Sequence, residues 1–187
     1  MVILGNESCD VIAGVYTGPK AESKIGSVDG GVINRIISFG VAQSLYFENV
    51  PYVMLNPEQS AIDQSTKVAR ANAWHLAHNV ILINFECKES YSSGIKILSN
   101  TRPHSGAYGQ ILYNELIQGL QRYKLHIKKP QYSDEYALLE KTNCHSFHVV
   151  VGSVNNDGVT LRNPRFHDHF IQSITNGILS CLKYVHA

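Results

Sequence analysis

The sequence has few charged residues, no marked excess of either charge and no long apolar run. Only 17% of its 187 residues are charged, and 16 basic residues against 15 acidic ones leave a net charge of +1. A protein that binds nucleic acid through its phosphates needs clustered Lys and Arg, which this balance does not supply. No stretch reaches the roughly 18 uninterrupted apolar residues of a membrane helix. We therefore expect neither nucleic acid nor a membrane as a partner.

Cysteine pairs and targeting signals are also missing. The four cysteines are far apart and none forms a CxxC pair, so neither a thiol redox motif nor a zinc ribbon is indicated. Cys87 and Cys144 lie within or beside apolar, strand-like runs, where a buried free thiol is usual. The N-terminus lacks the basic region and the long apolar region of a signal peptide. These features favour a reducing compartment, and we expect the protein to be cytoplasmic.

Common motifs of nucleophilic and nucleotide-dependent catalysis are absent as well. The sequence contains no GxSxG motif, and Cys87 has no identifiable histidine partner, so nothing supports nucleophilic catalysis. The segment "GVYTGPK" (14–20) has too few residues between its glycines for a phosphate loop, and neither Ser nor Thr follows its lysine. A Gly-rich turn of this kind can still bind an anion through backbone amides.

The sequence does contain a regular alternation of strand and helix patterns. Apolar, β-rich runs predict strands at 10–16, 51–56, 80–85, 94–98 and 145–152. Apolar residues at helical spacing predict helices at 31–45, 60–78, 106–123 and 164–185, with a loop at 128–135. This alternation predicts an α/β fold, a three-layer sandwich with a mostly parallel central sheet, in one domain that spans residues 1–187. The runs "VILINF" and "FHVVV" are apolar on both faces and should be neighbouring or near-neighbouring central strands.

Four segments resemble, in this order, those of the zinc-dependent N-acetylmuramoyl-L-alanine amidases: "SVDGGVINRIISFGVAQSL" (27–45), "NVILINFEC" (79–87), "GIKIL" (94–98) and "LLEKTNCHSFHVVVG" (138–152). The resemblance covers residues 10–182. It implies the amidase fold, in which two histidines and a glutamate at the carboxyl ends of strands hold a zinc ion. A further glutamate on the last strand is the general base, and an open zinc position lets bound water become hydroxide.

The same resemblance places these family positions on the present sequence. The first histidine falls at Tyr16, and the glutamate ligand falls at Gly30, with Asp29 beside it. The second histidine falls at Phe85 and the general base at Val150. Phe and Val cannot bind zinc, and Gly has no side chain at all. The resemblance therefore implies the scaffold without zinc hydrolysis, and we expect no cofactor.

Histidines elsewhere could rebuild a metal site. Three pairs are closely spaced, at 75 and 78, at 145 and 148, and at 167 and 169. A surface or capping role is the more frequent one for such pairs, because no third converging ligand is visible. His148 should face the same side of its strand as Val150, toward the former pocket or just beneath it. The interpretation we favour for His148 is a core histidine that is hydrogen-bonded to a carbonyl.

The first functional hypothesis is a catalytically inactive amidase-like protein that binds a small ligand in the former cleft. The crevice outside the strand ends of an open α/β sheet is a natural ligand site. Aromatic residues in the cleft would suit stacking on a ring or a sugar face, so the ligand could be a muropeptide fragment or a nucleotide-like metabolite. A phage origin would suit so short a chain. The candidate ligand-binding residues are Tyr16, Asp29, Gly30, Arg35, Phe85, Glu86, His104, His148 and Val150, with Arg102 as a further polar contributor.

Two alternatives remain. One is an active zinc hydrolase with relocated ligands, for example His104, His148 and Asp29. If the alignment of the first region is shifted by two residues, Asp29 or Glu22 becomes the retained acid. Stoichiometric zinc in protein prepared without chelator would favour this alternative. The other is an interaction or structural protein that uses the fold as a surface, which a wide apolar patch outside the cleft would support. The sequence leaves the oligomeric state open.

Overall fold

The computed structural model describes residues 1–6, 29–57, 62–75, 80–88 and 92–184. The strands are β1 (Val2–Asn6), β2 (Tyr52–Met54), β3 (Ile81–Lys88), β4 (Lys96–Ser99), β5 (Gln131–Tyr132) and β6 (His145–Ser153). The α-helices are α1 (Gly30–Phe47), α2 (Gln64–His75), α3 (Ser105–Leu120), α4 (Ala137–Glu140), α5 (Gly158–Leu161) and α6 (Pro164–Tyr184). A 3₁₀ turn, Gln121–Tyr123, follows α3 directly.

The strands form one six-stranded sheet in the order β2-β1-β3-β6-β4-β5. Neighbouring strands are parallel except for β4, which runs antiparallel to β6. The two long apolar runs are the adjacent strands β3 and β6 at the centre of the sheet, as the sequence predicts. The predicted α/β fold with a mostly parallel central sheet is therefore confirmed.

Helices cover both faces of the sheet. On one face α1, α3 and α6 enclose the larger core, into which Phe85 of β3 and Val149 of β6 point. On the other face α2 and α4 enclose a smaller cluster that contains Leu82 of β3 and Leu138 of α4. Because both faces are covered, the central strands tolerate apolar residues at successive positions.

Helix α1 begins where Asp29 caps it. The Asp29 Oδ1 accepts hydrogen bonds from the backbone N–H of Gly31 at 2.9 Å and of Val32 at 3.2 Å. The helix then buries an apolar row at a spacing of four residues, Ile33, Ile37, Val41 and Leu45. Val32 faces outward and is 51% exposed, so α1 is apolar on its solvent side as well.

Two glycines allow α1 and α3 to pack tightly against α6. A Cβ atom at Gly119 would lie 1.9 Å from Oγ of Ser173, and one at Gly40 would lie 2.3 Å from Cδ1 of Ile171. Both distances are far inside van der Waals contact. A larger residue at either position would therefore force Ser173 or Ile171 to move.

Several short elements were not predicted from the sequence. Strand β1, Val2–Asn6, precedes the predicted first strand at 10–16, which lies outside the described residues. The predicted loop at 128–135 contains the two-residue edge strand β5. Helices α4 and α5 have 4 residues each, which is too short to show a helical period in the sequence.

The cysteines of the described residues are inert. Cys87, Cys144 and Cys181 are free and buried, as predicted for the first two. Burial raises the pKa of the Cys181 thiol to about 12, so this thiol stays protonated at neutral pH. Among the described helices, none combines the length and the apolar character that a membrane span requires.

Candidate functional site at the carboxyl ends of β3 and β6

Strand β3 carries a row of polar side chains on one face. Asn84, Glu86 and Lys88 alternate with the core residues Phe85 and Cys87. The row leads from the interior to the carboxyl end of the strand, because Asn84 is fully buried, Glu86 is partly exposed and Lys88 is exposed. It lies on the sheet face that α2 and α4 only partly cover.

His148 of β6 is the buried centre of this site. Its Nε2 atom lies 2.9 Å from Oε2 of Glu86, and its Nδ1 atom lies 3.0 Å from the amide nitrogen of Asn84. An amide nitrogen only donates, so Nδ1 is the acceptor and the Nε2–H donates to Glu86. Its partners are thus a carboxylate and an amide instead of the expected carbonyl. Bonds at both ring nitrogens fix the orientation of the imidazole.

Tyr136 precedes α4 and covers the imidazole. The two rings are stacked, with centroids 3.7 Å apart and planes inclined by 23°. The hydroxyl of Tyr136 donates to Oε2 of Glu86 at 3.2 Å and accepts from Nζ of Lys88 at 3.0 Å. A continuous chain therefore joins Lys88, Tyr136, Glu86 and His148, and with Asn84 these residues form what we call the Glu86 network.

The network keeps its carboxylate ionised. Burial raises the pKa of Glu86, but the hydrogen bond from His148, the positive charge of Lys88 and the hydrogen bond from Tyr136 together outweigh it. The pKa of Glu86 consequently lies below its ordinary value. The hydrogen bond with Tyr136 raises the pKa of Lys88, and burial raises the pKa of Tyr136. At neutral pH the edge thus presents a carboxylate, a neutral phenol and an ammonium group.

This pKa shift predicts a pH dependence of stability. Because the pKa of Glu86 is lower in the folded than in the unfolded chain, its carboxylate stabilises the fold above the unfolded pKa, about 4.3. That stability is lost as pH falls through the lower, folded value. Urea unfolding between pH 7 and pH 3 should therefore show a smaller acid-induced loss for Glu86→Gln than for the wild type. Glu48→Gln, at an exposed helix end, serves as control. Parallel wild-type and Glu86→Gln profiles would contradict the shift.

A buried aspartate fixes the backbone near this edge. Asp157 accepts from the N–H of Gly94 at 2.9 Å and of Ser153 at 2.8 Å, and also from the hydroxyl of Ser93. Ser153 ends β6, whereas Gly94 precedes β4, so one carboxylate joins the two segments. A carboxylate can accept about four hydrogen bonds, so these three bonds explain the buried Asp157 without a ligand.

The N-terminus of α1 packs against the end of β3. Oδ1 of Asn34 accepts from the N–H of Cys87 at 2.6 Å, and a Cβ at Gly30 would lie 3.1 Å from Cβ of Cys87. Gly30 thus sits close to the edge, as expected, whereas the Asp29 carboxylate is occupied with helix capping. Arg35 is half-buried one turn further along α1. Tyr16 lies outside the described residues.

Phe85 does not line an opening at this edge. It has no exposed surface and packs edge-on against Phe170 of α6, with ring centroids 6.4 Å apart. The expectation of an aromatic cleft wall at Phe85 is corrected accordingly. Side chains alternate along a strand, so its neighbour Glu86 faces the other side, directly opposite Val150. Val150 is nearly buried at 5% exposure.

His104 and Arg102 lie at the opposite edge of the sheet. Strand β4 runs antiparallel to β6, so the residues that follow β4 lie beside the beginning of β6. His104 contacts His145, the first residue of β6, and Arg102 donates to Oδ1 of Asn143. The prediction that His104 contributes to the same cleft as His148 is therefore corrected. The relocated zinc set that combined the two is excluded for the same reason.

The described residues at the positions that the sequence resemblance assigns to zinc ligands and to the general base offer no ligand for a zinc ion. Gly30 offers no side chain, Phe85 is in the core, and Val150 has no donor atom. Within the described ranges, no group of three or more His, Cys, Asp and Glu side chains could hold a metal ion. The imidazole of His148 is engaged at both nitrogens.

Glu86 and His148 are candidate residues from the sequence that the structure brings together, whereas Asn84, Lys88 and Tyr136 were not predicted. The period-two spacing of Asn84, Glu86 and Lys88 within an apolar strand was a usable signal for a polar strand face. Tyr136 had no such signal, because it comes from a loop distant in sequence. Only the folded chain brings its ring over the imidazole.

Comparison with known proteins supports the fold. No protein-family model matches the sequence, and no curated protein matches it. Solved structures do match, among them the catalytic domain of CwlV, an N-acetylmuramoyl-L-alanine amidase from Bacillus (Paenibacillus) polymyxa var. colistinus. That match has a TM-score of 0.75 and 16% identity, over 97% of this chain and 98% of that chain.

Two further N-acetylmuramoyl-L-alanine amidases agree with this match. The enzyme from Clostridium difficile 630 gives a TM-score of 0.76 and 15% identity, over 97% of this chain and 96% of that chain. Ami1 from Mycobacterium smegmatis gives a TM-score of 0.76 and 14% identity, over 98% of this chain and 97% of that chain. At such identities the likeness concerns the fold. The chain therefore has the fold of N-acetylmuramoyl-L-alanine amidases.

Proposed function

We propose that the protein is a non-hydrolytic, amidase-like binding protein that holds a peptidoglycan stem peptide at the edge formed by Glu86, Lys88 and Tyr136. The observation that carries this proposal is the Glu86 network. It occupies the carboxyl ends of β3 and β6, the region to which the amidase resemblance assigns a zinc ligand and the general base. There Glu86 is bonded to His148 and Tyr136, opposite an aliphatic Val150.

The chemistry of these side chains supports the proposed lack of hydrolysis. Amide hydrolysis by this family requires a metal-activated water and a base positioned to receive its proton. Val150 cannot accept a proton, and Glu86 already accepts two hydrogen bonds on one oxygen. The depressed pKa of Glu86 makes it a weak base as well. The site is thus suited to hold a ligand rather than to activate water.

The charges at the edge favour a peptide over a nucleotide. Glu86 supplies a partly exposed carboxylate and Lys88 an exposed ammonium group, and both contact the hydroxyl of Tyr136. Such a pair complements a ligand that carries free amino and carboxylate groups, as peptidoglycan stem peptides do. A phosphate would gain the attraction of Lys88 but would meet the repulsion of Glu86. Of the two ligand classes left open by the sequence, we therefore select the muropeptide.

The test is a calorimetric titration with three probes. These are a soluble muropeptide, its stem peptide alone and a nucleoside monophosphate. The first two should bind, and Lys88→Met should weaken their binding about tenfold, because it removes one charge-assisted hydrogen bond. Lys183→Met, which removes an exposed lysine from the last turn of α6, is the matched control and should bind like the wild type. Chromatography of the same mixtures with added zinc should show no released stem peptide.

Three results would contradict the proposal. Chelator-sensitive release of stem peptide would show an active amidase. Equal binding by Lys88→Met and the wild type would show that the ligand does not bind at this edge. A preference for the nucleotide would show that the proposed ligand class is wrong.

A specific observation also favours the second candidate, an interaction protein that uses the fold as a surface. The outer side of α1 exposes large apolar residues well away from the sheet face that holds the Glu86 network. This surface is independent of the ligand site, because α1 covers the opposite face of the sheet.

A further inference from the structure

Helix α1 presents an apolar face to solvent. Five of the large apolar side chains that are exposed in the described part of the chain lie on this one helix: Val32 (51%), Ile36 (42%), Phe39 (45%), Tyr46 (68%) and Phe47 (70%). At about 100° per residue these positions fall on one side of the helix, together with Gln43. We call the side formed by these six residues the α1 face.

The α1 face has a size that is often functional on soluble proteins. Aromatic side chains bury about 150–250 Å² each when they are covered, and three of them lie here about half to two-thirds exposed. With the two aliphatic residues, the contiguous apolar surface amounts to roughly 400–500 Å², the size at which patches on soluble proteins mark interaction sites. The inner side of α1 is already buried in the core, and among the described residues the apolar side chains on its outer side remain exposed.

Charge restricts what can cover this face. Residues 30–47 contain no acidic residue and a single basic one, Arg35, which is half-buried beside the face. A highly charged partner would lose hydration there without gaining ion pairs. A second copy of the same face meets no such cost. The face is also uneven in a way that suits self-pairing, because Val32 and Ile36 are small at one end while Tyr46 and Phe47 are large at the other.

We propose that the protein forms a homodimer through antiparallel packing of its α1 faces about a two-fold axis near residue 41. This register sets Tyr46 against Ile36 of the partner subunit, large against small, and Phe39 against Gln43 of the partner subunit. It also brings Arg35 to the aromatic ring of Phe47 of the partner subunit, a favourable cation–π arrangement. Each contact occurs twice, as a two-fold interface requires.

The expected dimer is weak. A helix of 18 residues is about 27 Å long, and two such faces bury about 1,000 Å² in total, the lower end of specific interfaces. A dissociation constant on the order of micromolar suits an interface of this size. The dimer should therefore form and dissociate within an accessible concentration range.

Sedimentation velocity of the full chain over a broad concentration series tests this inference. The wild type should shift from monomer to dimer, and Phe39→Glu should weaken dimerisation at least about 30-fold, because it buries a charge at the centre of the interface. Val159→Glu is the matched control. Val159 is 71% exposed on α5, outside the α1 face, so its replacement should leave the dissociation constant unchanged.

Tyr46→Glu provides a second variant should Phe39→Glu fail to fold, which circular dichroism would reveal. It too should weaken dimerisation strongly, since Tyr46 is 68% exposed and lies on the same face. A wild type that stays monomeric at all concentrations would overturn the inference. So would a dimer that neither folded variant weakens, because such a dimer would use another surface.

Discussion

Replacing Phe85 with alanine should lower the free energy of unfolding by about 3–5 kcal/mol. Its ring is fully buried in the larger core and packs edge-on against Phe170, so truncation leaves a cavity that the central strand cannot close. β3 lies between β1 and β6 and is held by parallel ladders on both sides. Urea unfolding followed by far-ultraviolet circular dichroism would measure the change.

Phe47→Ala is the matched control, because the same ring is removed from a position that is 70% exposed. In protein dilute enough to be monomeric, its loss should cost less than about 1 kcal/mol. Similar losses for both variants would mean that Phe85 is not in the core. A stable Phe85→Ala protein with impaired ligand binding would restore the expectation of an aromatic cleft wall.

The centre of the fold could be predicted because strands β3 and β6 are apolar at successive positions. Such strands require cover on both faces, and the alternation with helices makes the sheet mostly parallel. The helical spacing of Ile33, Ile37 and Val41 likewise predicts α1, which the structure confirms. These signals are local and periodic. They can therefore be recognised in a single sequence.

The direction of β4 could not be predicted in the same way. The segment "GIKIL" predicts a strand but carries no information on whether it runs parallel or antiparallel to β6. Its antiparallel course sends the following residues to the other edge of the sheet. His104 therefore faces His145 instead of the site around His148. The antiparallel direction of this one strand thus places His104 at the other edge of the sheet from the site.

The assignment of a strand residue to one face of the sheet is equally sensitive to an error of one position. Because side chains alternate, a shift of one position exchanges the core face for the opposite face. The prediction of a cleft wall at Phe85 depended on such a choice of face. The structure separates the two, with Phe85 in the core and Glu86 bonded to His148. Tyr136 was beyond prediction, because its ring reaches the imidazole only through the tertiary fold.

The pairing of His148 with Glu86 should be costly to break. His148→Phe keeps a ring beneath Tyr136 but removes the donor to Glu86, so we expect a loss of about 3 kcal/mol. Glu86→Leu should cost about 1–3 kcal/mol, because it leaves the buried Nε2–H of His148 and the half-buried hydroxyl of Tyr136 without their acceptor.

The double variant Glu86→Leu/His148→Phe distinguishes a paired interaction from two separate ones. Removing both partners leaves no unpaired carboxylate and no imidazole without an acceptor, so the double loss should fall short of the sum by about 1–3 kcal/mol. Glu86→Leu combined with Gln172→Ala is the control, since Gln172 lies exposed on α6, beyond the other sheet face, and these losses should add. All variants are compared by urea unfolding at pH 7. Additive losses for Glu86 and His148 would show that each is stabilised by its surroundings alone, and the Glu86 network would then not act as a unit.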